Sequence, residues 1–246
     1  MNLFYLYLGL DYDDYIKYNN VIRFEFQKKT TFINDYFTKK LRKLRFKTDG
    51  TFNMISIGLS EFKYNPNKHV APNVLKIHLP FDRNRYEALK NDLDCSYFLE
   101  MMEQGFKKAS KIKEIPLNDL LNIIEDFKKE GCKNQWLHKK KRFKEHDLEI
   151  ILNCEYTSVY FHLVATFNQI STKKELVSGV VLSTDVGVFI HEGMYKDIFI
   201  NDKEIVITDS TDSPRILINK EKIFKSILDF NFLGDENTKR INSFQL

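Results

Sequence analysis

The stretch ILNCEYTSVYFHLVATF, residues 151–167, decides the fold class of this chain. Apolar and polar residues alternate in its second half, and a period of two is typical of a half-buried strand. The alternation directs Phe161 and Leu163 inward and His162 outward. A polar break near residues 157–158 separates this second half from the strand-like first half, ILNCEYT. The two halves therefore predict neighbouring antiparallel strands.

Short β-branched and aromatic segments continue the pattern toward the C-terminus, at the spacing of an antiparallel meander. They are KELVSGVVLS (174–183), GVFIH (187–191), DIFIN (197–201), EIVIT (204–208) and RILIN (215–219). The dipeptide Asn201-Asp202 predicts a hairpin tip. KEKIFKSILDF (220–230) predicts a last helix, and a polar tail follows it.

The N-terminal part mixes strands and helices. Strands are predicted at 3–8, at 21–27, in TFNMISIGLS (51–60) and in VLKIHL (74–79). In 21–27 we expect Ile22, Phe24 and Phe26 to share one buried face. Thr30 or Thr31 would then cap a helix whose apolar stripe repeats every three or four residues. The stripe consists of Ile33, Phe37, Leu41 and Leu44.

Further helices are expected between residues 82 and 112, with an interruption near 94–96, and in LNDLLNIIEDFKKEG (117–131). The latter has an apolar stripe, a proline at its start and Gly131 at its C-terminal cap. The fold class is therefore α+β: a mixed α/β N-terminal lobe, and mainly antiparallel sheet in the C-terminal half with helices on one side. We expect one compact unit over 1–246, with a possible subdivision into a basic strand-helix lobe (1–115) and a helix-plus-meander lobe (116–246).

Composition limits the class of protein. With 246 residues, 43% apolar and 14% aromatic, the chain can bury a core without disulfides or metals. Its three cysteines form no CxxC pair, so we expect reduced thiols and a cytoplasmic location. MNLFYLYLGL (1–10) lacks the features of a signal peptide and is expected to form the first strand, and no apolar run is long enough for a membrane helix.

The net charge of +4 is unevenly distributed. Residues 1–144 contain 28 Lys and Arg against 18 Asp and Glu, a net charge of +10, and residues 145–246 carry −6. Such a split can mark a basic face for an acidic partner, and it can also let the two halves attract each other. The sequence leaves both alternatives open.

Catalytic motifs are absent. No GxSxG, P-loop, GxGxxG or kinase set occurs, so we expect neither catalytic residues nor a cofactor. Two weak metal hypotheses remain. One is a nuclease-like Mg²⁺ site from Glu61-Phe62-Lys63 with Asp49. The other gathers residues from several strands, namely His146, Asp147, His162, His191 and Glu192.

Two basic clusters are the candidate binding residues for a macromolecular partner or nucleic acid. One lies on the predicted helix (Lys39, Lys40, Arg42, Lys43), and the other lies beside an indole (Trp136, Lys139, Lys140, Lys141, Arg142). Phosphate binding needs cations on one face, and single strands add aromatic stacking. The second cluster is expected to end one strand and form the exposed turn into the next.

We therefore expect a non-enzymatic, cytoplasmic protein that binds another protein, with no membrane and no cofactor involved. Abundant Lys, Asn, Ile and Phe are typical of an AT-rich microbial genome, which favours a bacterial immunity or antitoxin-type protein that occludes a partner's active site. The alternative is a nucleic-acid-binding or nucleic-acid-processing protein that uses the two basic clusters.

Overall fold

The computed structural model of the chain describes residues 1–63, 71–92, 94–186 and 193–234. The chain divides into two compact units, Met1–Asn134 and Gln135–Leu246. The first combines a parallel sheet with helices and the second is built on antiparallel sheets, so the predicted α+β class is confirmed. Within the described residues, no helix has the length and apolar character needed to span a bilayer.

The first unit contains three parallel strands, in the order β1–β2–β3. Its elements are β1 (Tyr5–Leu10), α1 (Tyr12–Tyr18), α2 (Asn20–Leu44), β2 (Met54–Ser60), β3 (Val74–Pro80), α3 (Arg83–Leu89), α4 (Ser96–Ala109) and α5 (Leu117–Lys129). The predicted first strand and the interruption between two helices near residue 95 are confirmed. Parallel pairing of β1 with β2 requires a crossover, which α1 and α2 supply.

The strand predicted at 21–27 is wrong, because these residues belong to helix α2. Ile22 and Phe26 are buried as expected, but Phe24 is exposed on the opposite side of the helix. Positions four apart share a face both at a period of two and at a period of 3.6, whereas the residue midway between them shares that face only at a period of two. The alternation of three residues was therefore too short to distinguish a strand from a helix.

The helix cap predicted at Thr30 or Thr31 is also wrong. The helix begins ten residues earlier, where the side chain of Asn19 accepts a hydrogen bond from the backbone N–H of Ile22. Within the helix the hydroxyl of Thr30 donates to the carbonyl of Phe26, and that of Thr31 to the carbonyl of Gln27. Hydroxyls that bond to the preceding turn are compatible with a helix interior.

Side chains of α2 cover the open edge of β1. The Asn34 side chain accepts a hydrogen bond from the backbone N–H of Leu8 (2.9 Å) and donates one to its carbonyl (3.1 Å). The hydroxyl of Thr38 accepts from the N–H of Leu6 at 3.3 Å. An edge strand with unpaired backbone groups invites association, and these contacts satisfy them.

The core of the first unit lies on the face of the sheet that carries Leu8 and Ile57, both fully buried. Helix α4 approaches this face at Gly105, where an added Cβ would lie 2.4 Å from Cδ1 of Ile57. Helix α5 packs against α4 and α2. Because of this packing α5 belongs to the first unit, which extends to Asn134.

The predicted helix at 117–131 is confirmed. Leu120, Ile124 and Phe127 are buried. Gly131 has a positive φ of 70°, and the N–H of Cys132 donates to the carbonyl of Phe127 at 2.9 Å. These are the bonds of a Schellman C-cap, which glycine favours because it has no Cβ.

The second unit contains two four-stranded antiparallel sheets, in the orders β4–β5–β6–β7 and β8–β9–β10–β11. Its elements are β4 (Asn134–Phe143), a 3₁₀ turn (Lys144–His146), β5 (Leu148–Tyr156), β6 (Phe161–Gln169), β7 (Glu175–Thr184), β8 (Asp197–Ile200), β9 (Glu204–Thr208), β10 (Pro214–Asn219), α6 (Lys220–Ile223) and β11 (Phe230–Phe232). Phe161 and Leu163 point inward and His162 outward, as the alternation predicts. The predicted hairpin tip at Asn201 joins β8 to β9.

The helix predicted at 220–230 is wrong beyond its first turn. Only α6 is helical, and Ser226 adopts a left-handed conformation with a φ of 60°. Phe230 to Phe232 then pair with β10 as the edge strand β11, so the backbone gains sheet hydrogen bonds instead of helical ones. The strand predicted at 187–191 lies outside the described residues, as does most of the tail.

Candidate functional site

The basic run of β4 is internally paired. Lys139 and Lys141 both approach the carboxylate of Asp197 on β8, with N–O distances of 3.5 and 2.8 Å. Lys141 also donates to the backbone carbonyl of Ile198 at 3.0 Å, and the ring of His138 contacts the carbonyl of Lys196. Because β4 and β8 each stand at an end of their sheet's strand order, these bonds link the two sheets.

The other two cations of the run turn toward β5. Lys140 lies 3.1 Å from the carboxylate of Glu149, and the guanidinium of Arg142 donates to the same carboxylate. The Arg142 hydrogen bond, with further help from Lys140, lowers the pKa of Glu149 despite its burial. Trp136 packs against the buried ring of Phe161, with centroids 6.1 Å apart. The cluster lies in strand β4 and the turn begins only after it, at Lys144, and its four charges face two carboxylates.

Two of the four basic residues of α2 form ion pairs with acidic side chains. Lys39 pairs with Asp35 (2.6 Å) and Lys40 with Glu130 (3.3 Å). The guanidinium of Arg42 lies 4.9 Å from the ring centre of Tyr5. Lys43 is exposed and has no ion pair in the described chain.

Dividing the chain at its structural boundary removes most of the charge asymmetry. Residues 1–134 contain 23 Lys and Arg against 18 Asp and Glu, and residues 135–246 contain 15 against 16. The net charges are therefore +5 and −1. The larger asymmetry arose because the run at 139–144, which belongs to the second unit, was counted with the first.

The histidine hypothesis for a metal site is not supported by the sheet geometry. In the β5–β6 pair, Glu155 stands opposite His162, whereas His146 precedes β5 at the other end. Asp147 instead accepts hydrogen bonds from Ser171 and Gln169. His191 and Glu192 lie outside the described residues, and the described residues contain no group of three metal-ligand side chains.

The strand geometry does not support the nuclease-like hypothesis either. Glu61 follows the end of β2 and forms a bidentate pair with Arg83, at 3.1 and 2.7 Å. Asp49 precedes β2 and pairs with Lys113 at 2.6 Å. The two carboxylates thus lie at opposite ends of a seven-residue strand, a span of roughly 20 Å, and cannot share one ion.

A cluster of exposed apolar side chains surrounds the α1–α2 corner of the first unit, and we call it the aromatic surface. Its members are unusually accessible for residues of their type. They are Tyr12 (57% exposed), Ile16 (39%), Tyr18 (60%), Val21 (79%), Phe24 (51%) and Phe62 (41%).

Contacts among its own side chains hold the rings of the aromatic surface in place. The guanidinium of Arg23 lies 4.3 Å from the ring centre of Phe24 and 5.1 Å from that of Tyr12, so it joins α2 to α1. The rings of Tyr18 and Phe62 meet edge to face with centroids 5.0 Å apart. The exposed rings therefore have fixed neighbours in the absence of a partner.

Polar contacts anchor α1 beneath the surface. The hydroxyl of Ser60 donates to Asp14 (2.6 Å), and the hydroxyl of buried Tyr15 donates to Glu61 (3.0 Å). Lys76 of β3 reaches the buried carboxylate of Asp11 at 3.1 Å. Burial raises the pKa of Tyr15 above its ordinary value of 10, so its hydroxyl stays a donor in alkaline as well as neutral solution. Helix α1 is thus fixed to the carboxyl ends of the strands.

Sequence reasoning missed the aromatic surface. The interpretation of 21–27 as a strand assigned Phe24 to the core, and α1 was not predicted. A helical reading was available, since Asn19 precedes a run with apolar residues four apart at Ile22 and Phe26. In that reading Phe24 and Val21 lie off the buried face.

Comparisons with protein-family models, curated proteins and solved structures give no match for this chain. Its function must therefore be inferred from its own residues.

Proposed function

We propose that the protein acts by binding another protein through the aromatic surface of the α1–α2 corner. The observation that carries this proposal is the exposure of six apolar side chains on one short helix and its neighbours. Single exposed apolar residues are ordinary, but a group of them with tyrosine, phenylalanine and arginine is typical of interfaces.

The internal order of the surface favours binding. Ordering a flexible side chain at an interface costs free energy, and rings that already pack on a neighbour lose less. Tyr18 on Phe62 and Phe24 under Arg23 meet this condition. We expect these four residues to be the energetic centre of an interface of about 800 Å² per partner.

In its narrower form, the proposal is a cytoplasmic, non-enzymatic bacterial protein of the immunity or antitoxin type that covers its partner's active site. Such a mechanism is steric and requires no cofactor. The same protein-binding surface would serve this role, with neighbouring charges such as Asp13 and Lys17 at its rim.

Protein binding is favoured over the nucleic-acid alternative because of the state of the basic clusters. All four cations of β4 already face Asp197 or Glu149, and two of the four on α2 have acidic partners. Cations that neutralise phosphates release counterions and give a steep salt dependence, whereas paired cations contribute less.

A comparison of three baits would test the proposal. Wild type, the double variant Tyr18→Ser/Phe24→Ser and the control variant Val159→Ser/Phe224→Ser would each be immobilised and exposed to the same bacterial lysates. The control residues are exposed but lie in the second unit. We expect a protein that wild type and control retain and the double variant loses. Equal retention by all three baits would overturn the proposal.

A further inference from the structure

Two cysteines that are distant in sequence meet in the first unit. Cys95 immediately precedes α4, and Cys132 follows the glycine cap of α5. The two thiols shift each other's pKa, which is raised for Cys95 and lowered for Cys132. The thiol of Cys132 in turn donates to the backbone carbonyl of Asp94, with Sγ 2.9 Å from the oxygen. This bond holds Cys132 Sγ against the residue that precedes Cys95, so the two cysteines lie side by side.

The backbone holds this pair in place. Cys95 and Cys132 have φ angles of 54° and 56°, in the left-handed region that non-glycine residues rarely adopt. Cys95 precedes α4, and its carbonyl accepts from the N–H of Leu99. Cys132 follows α5, and its N–H donates to the carbonyl of Phe127. A disulfide needs its two Cα atoms close together, and the bond from Cys132 to the carbonyl of Asp94 brings the two backbone segments together.

We infer that Cys95 and Cys132 form a reversible redox pair that closes to an intramolecular disulfide when a peroxide reaches it. This inference is independent of the proposed protein-binding function. Both residues are nearly buried, with exposures of 5% and 6%, so a molecule as small as hydrogen peroxide reaches a sulfur after a modest local opening.

The two thiols differ in acidity. Interaction with Cys95 lowers the pKa of Cys132, whereas the same interaction and burial raise the pKa of Cys95. The thiolate of Cys132 is therefore the first nucleophile. It attacks one peroxide oxygen, the O–O bond breaks, hydroxide leaves, and Cys132 becomes a sulfenic acid.

The thiol of Cys95 completes the reaction. Its sulfur attacks the sulfenic sulfur of Cys132, the S–O bond breaks, and the oxygen leaves as water with the proton of Cys95. In sum, two thiols and one hydrogen peroxide give one disulfide and two waters. The disulfide would tie the start of α4 to the end of α5 and close a loop over residues 95–132, which restricts the unfolded chain.

Peptide mapping of the full chain tests this inference. Wild-type protein would be treated with hydrogen peroxide, alkylated under denaturing conditions and digested without reductant. We expect a Cys95–Cys132 linked peptide, a loss of about 2 Da from the intact mass, reversal by dithiothreitol and a rise in Tm of about 8 °C. Cys154, the third buried cysteine, should stay alkylatable and serves as the internal control.

The variants Cys132→Ser and Cys154→Ser form a matched pair. The first should abolish the loss of mass, and the second should leave it unchanged. The inference is overturned if the treated wild type keeps all three thiols free, or if Cys132 is oxidised to sulfinic acid while Cys95 stays free. Because this readout uses the wild type, it does not depend on the folding of either variant.

Discussion

The basic run of β4 and the aromatic surface of α1–α2 are opposite in kind. The run is conspicuous in the sequence, yet its four cations form ion pairs with Asp197 and Glu149 and hold strands together. The aromatic residues are inconspicuous in the sequence, yet they are the ones left exposed. The role of a charged residue depends on its ion-pair partners, and the role of an apolar residue depends on whether it is buried. Neither is visible in the sequence pattern alone.

The largest expected effect is on binding. Replacing both Tyr18 and Phe24 by serine should weaken the complex with a captured partner about 100-fold, because buried aromatic anchors contribute most of the binding energy. Calorimetric titration of the purified pair would measure the change. The control Val159→Ser/Phe224→Ser should bind within a factor of about two, and a similar loss in both would count against the aromatic surface.

The next effect concerns the stability of the second unit. Asp197→Ala leaves Lys139 and Lys141 facing each other without their carboxylate, and we expect the free energy of unfolding to fall by about 2 kcal/mol. Denaturant titration measures it. Asp202→Ala, at the exposed β8–β9 tip, is the control and should change stability by less than about 0.5 kcal/mol. Equal effects would mean that the basic run is not a structural link.

Acid should affect the other pairing of the basic run, between Lys140, Arg142 and Glu149. The pKa of Glu149 is lower in the folded chain than its ordinary value of 4.5, chiefly because of the hydrogen bond from Arg142. Its stabilising contribution is therefore present above that value and is lost as the pH falls below it. In Glu149→Gln, unfolding free energy measured between pH 6 and pH 3 should decline less steeply than in the wild type. An unchanged slope would contradict the pairing.

The smallest effect sharpens the comparison from the other side. Because Tyr18 and Phe24 are exposed, the free energy of unfolding of the double serine variant should lie within about 1 kcal/mol of the wild-type value. Most of any loss should come from the contacts with Phe62 and Arg23. Thermal and chemical unfolding of the two proteins would measure this difference. A larger loss would show that the rings are needed for folding and not reserved for a partner.

The antiparallel meander was predictable because β5 and β6 alternate over many residues, and the helix at 117–129 because its stripe, proline and glycine agree. The segment at 21–27 was not, since Ile22 and Phe26 fit both periods. The short α6 followed by β11 reflects pairing with β10, a contact from elsewhere in the chain that overrides local helix preference.

The candidate site was less accessible to sequence reasoning than the fold. The basic residues were located correctly, but their carboxylates lie on other strands, seven residues away for Arg142 and fifty-six for Lys141. Predicting the exposure of Phe24 required the correct secondary structure for residues 21–27. Predicting the proximity of Cys95 and Cys132 required knowledge of the packing of α4 against α5.

The amide of Asn34 imitates a peptide group toward Leu8, since it supplies one acceptor and one donor to the same residue. The order of elements along the chain gives this imitation a role during synthesis. A ribosome makes β1 first, then α2, and only later the strand β2 that pairs with the other side of β1. Asn34 can therefore cover one edge of β1 before β2 has been translated. An uncovered edge strand is prone to associate with other nascent chains at this stage.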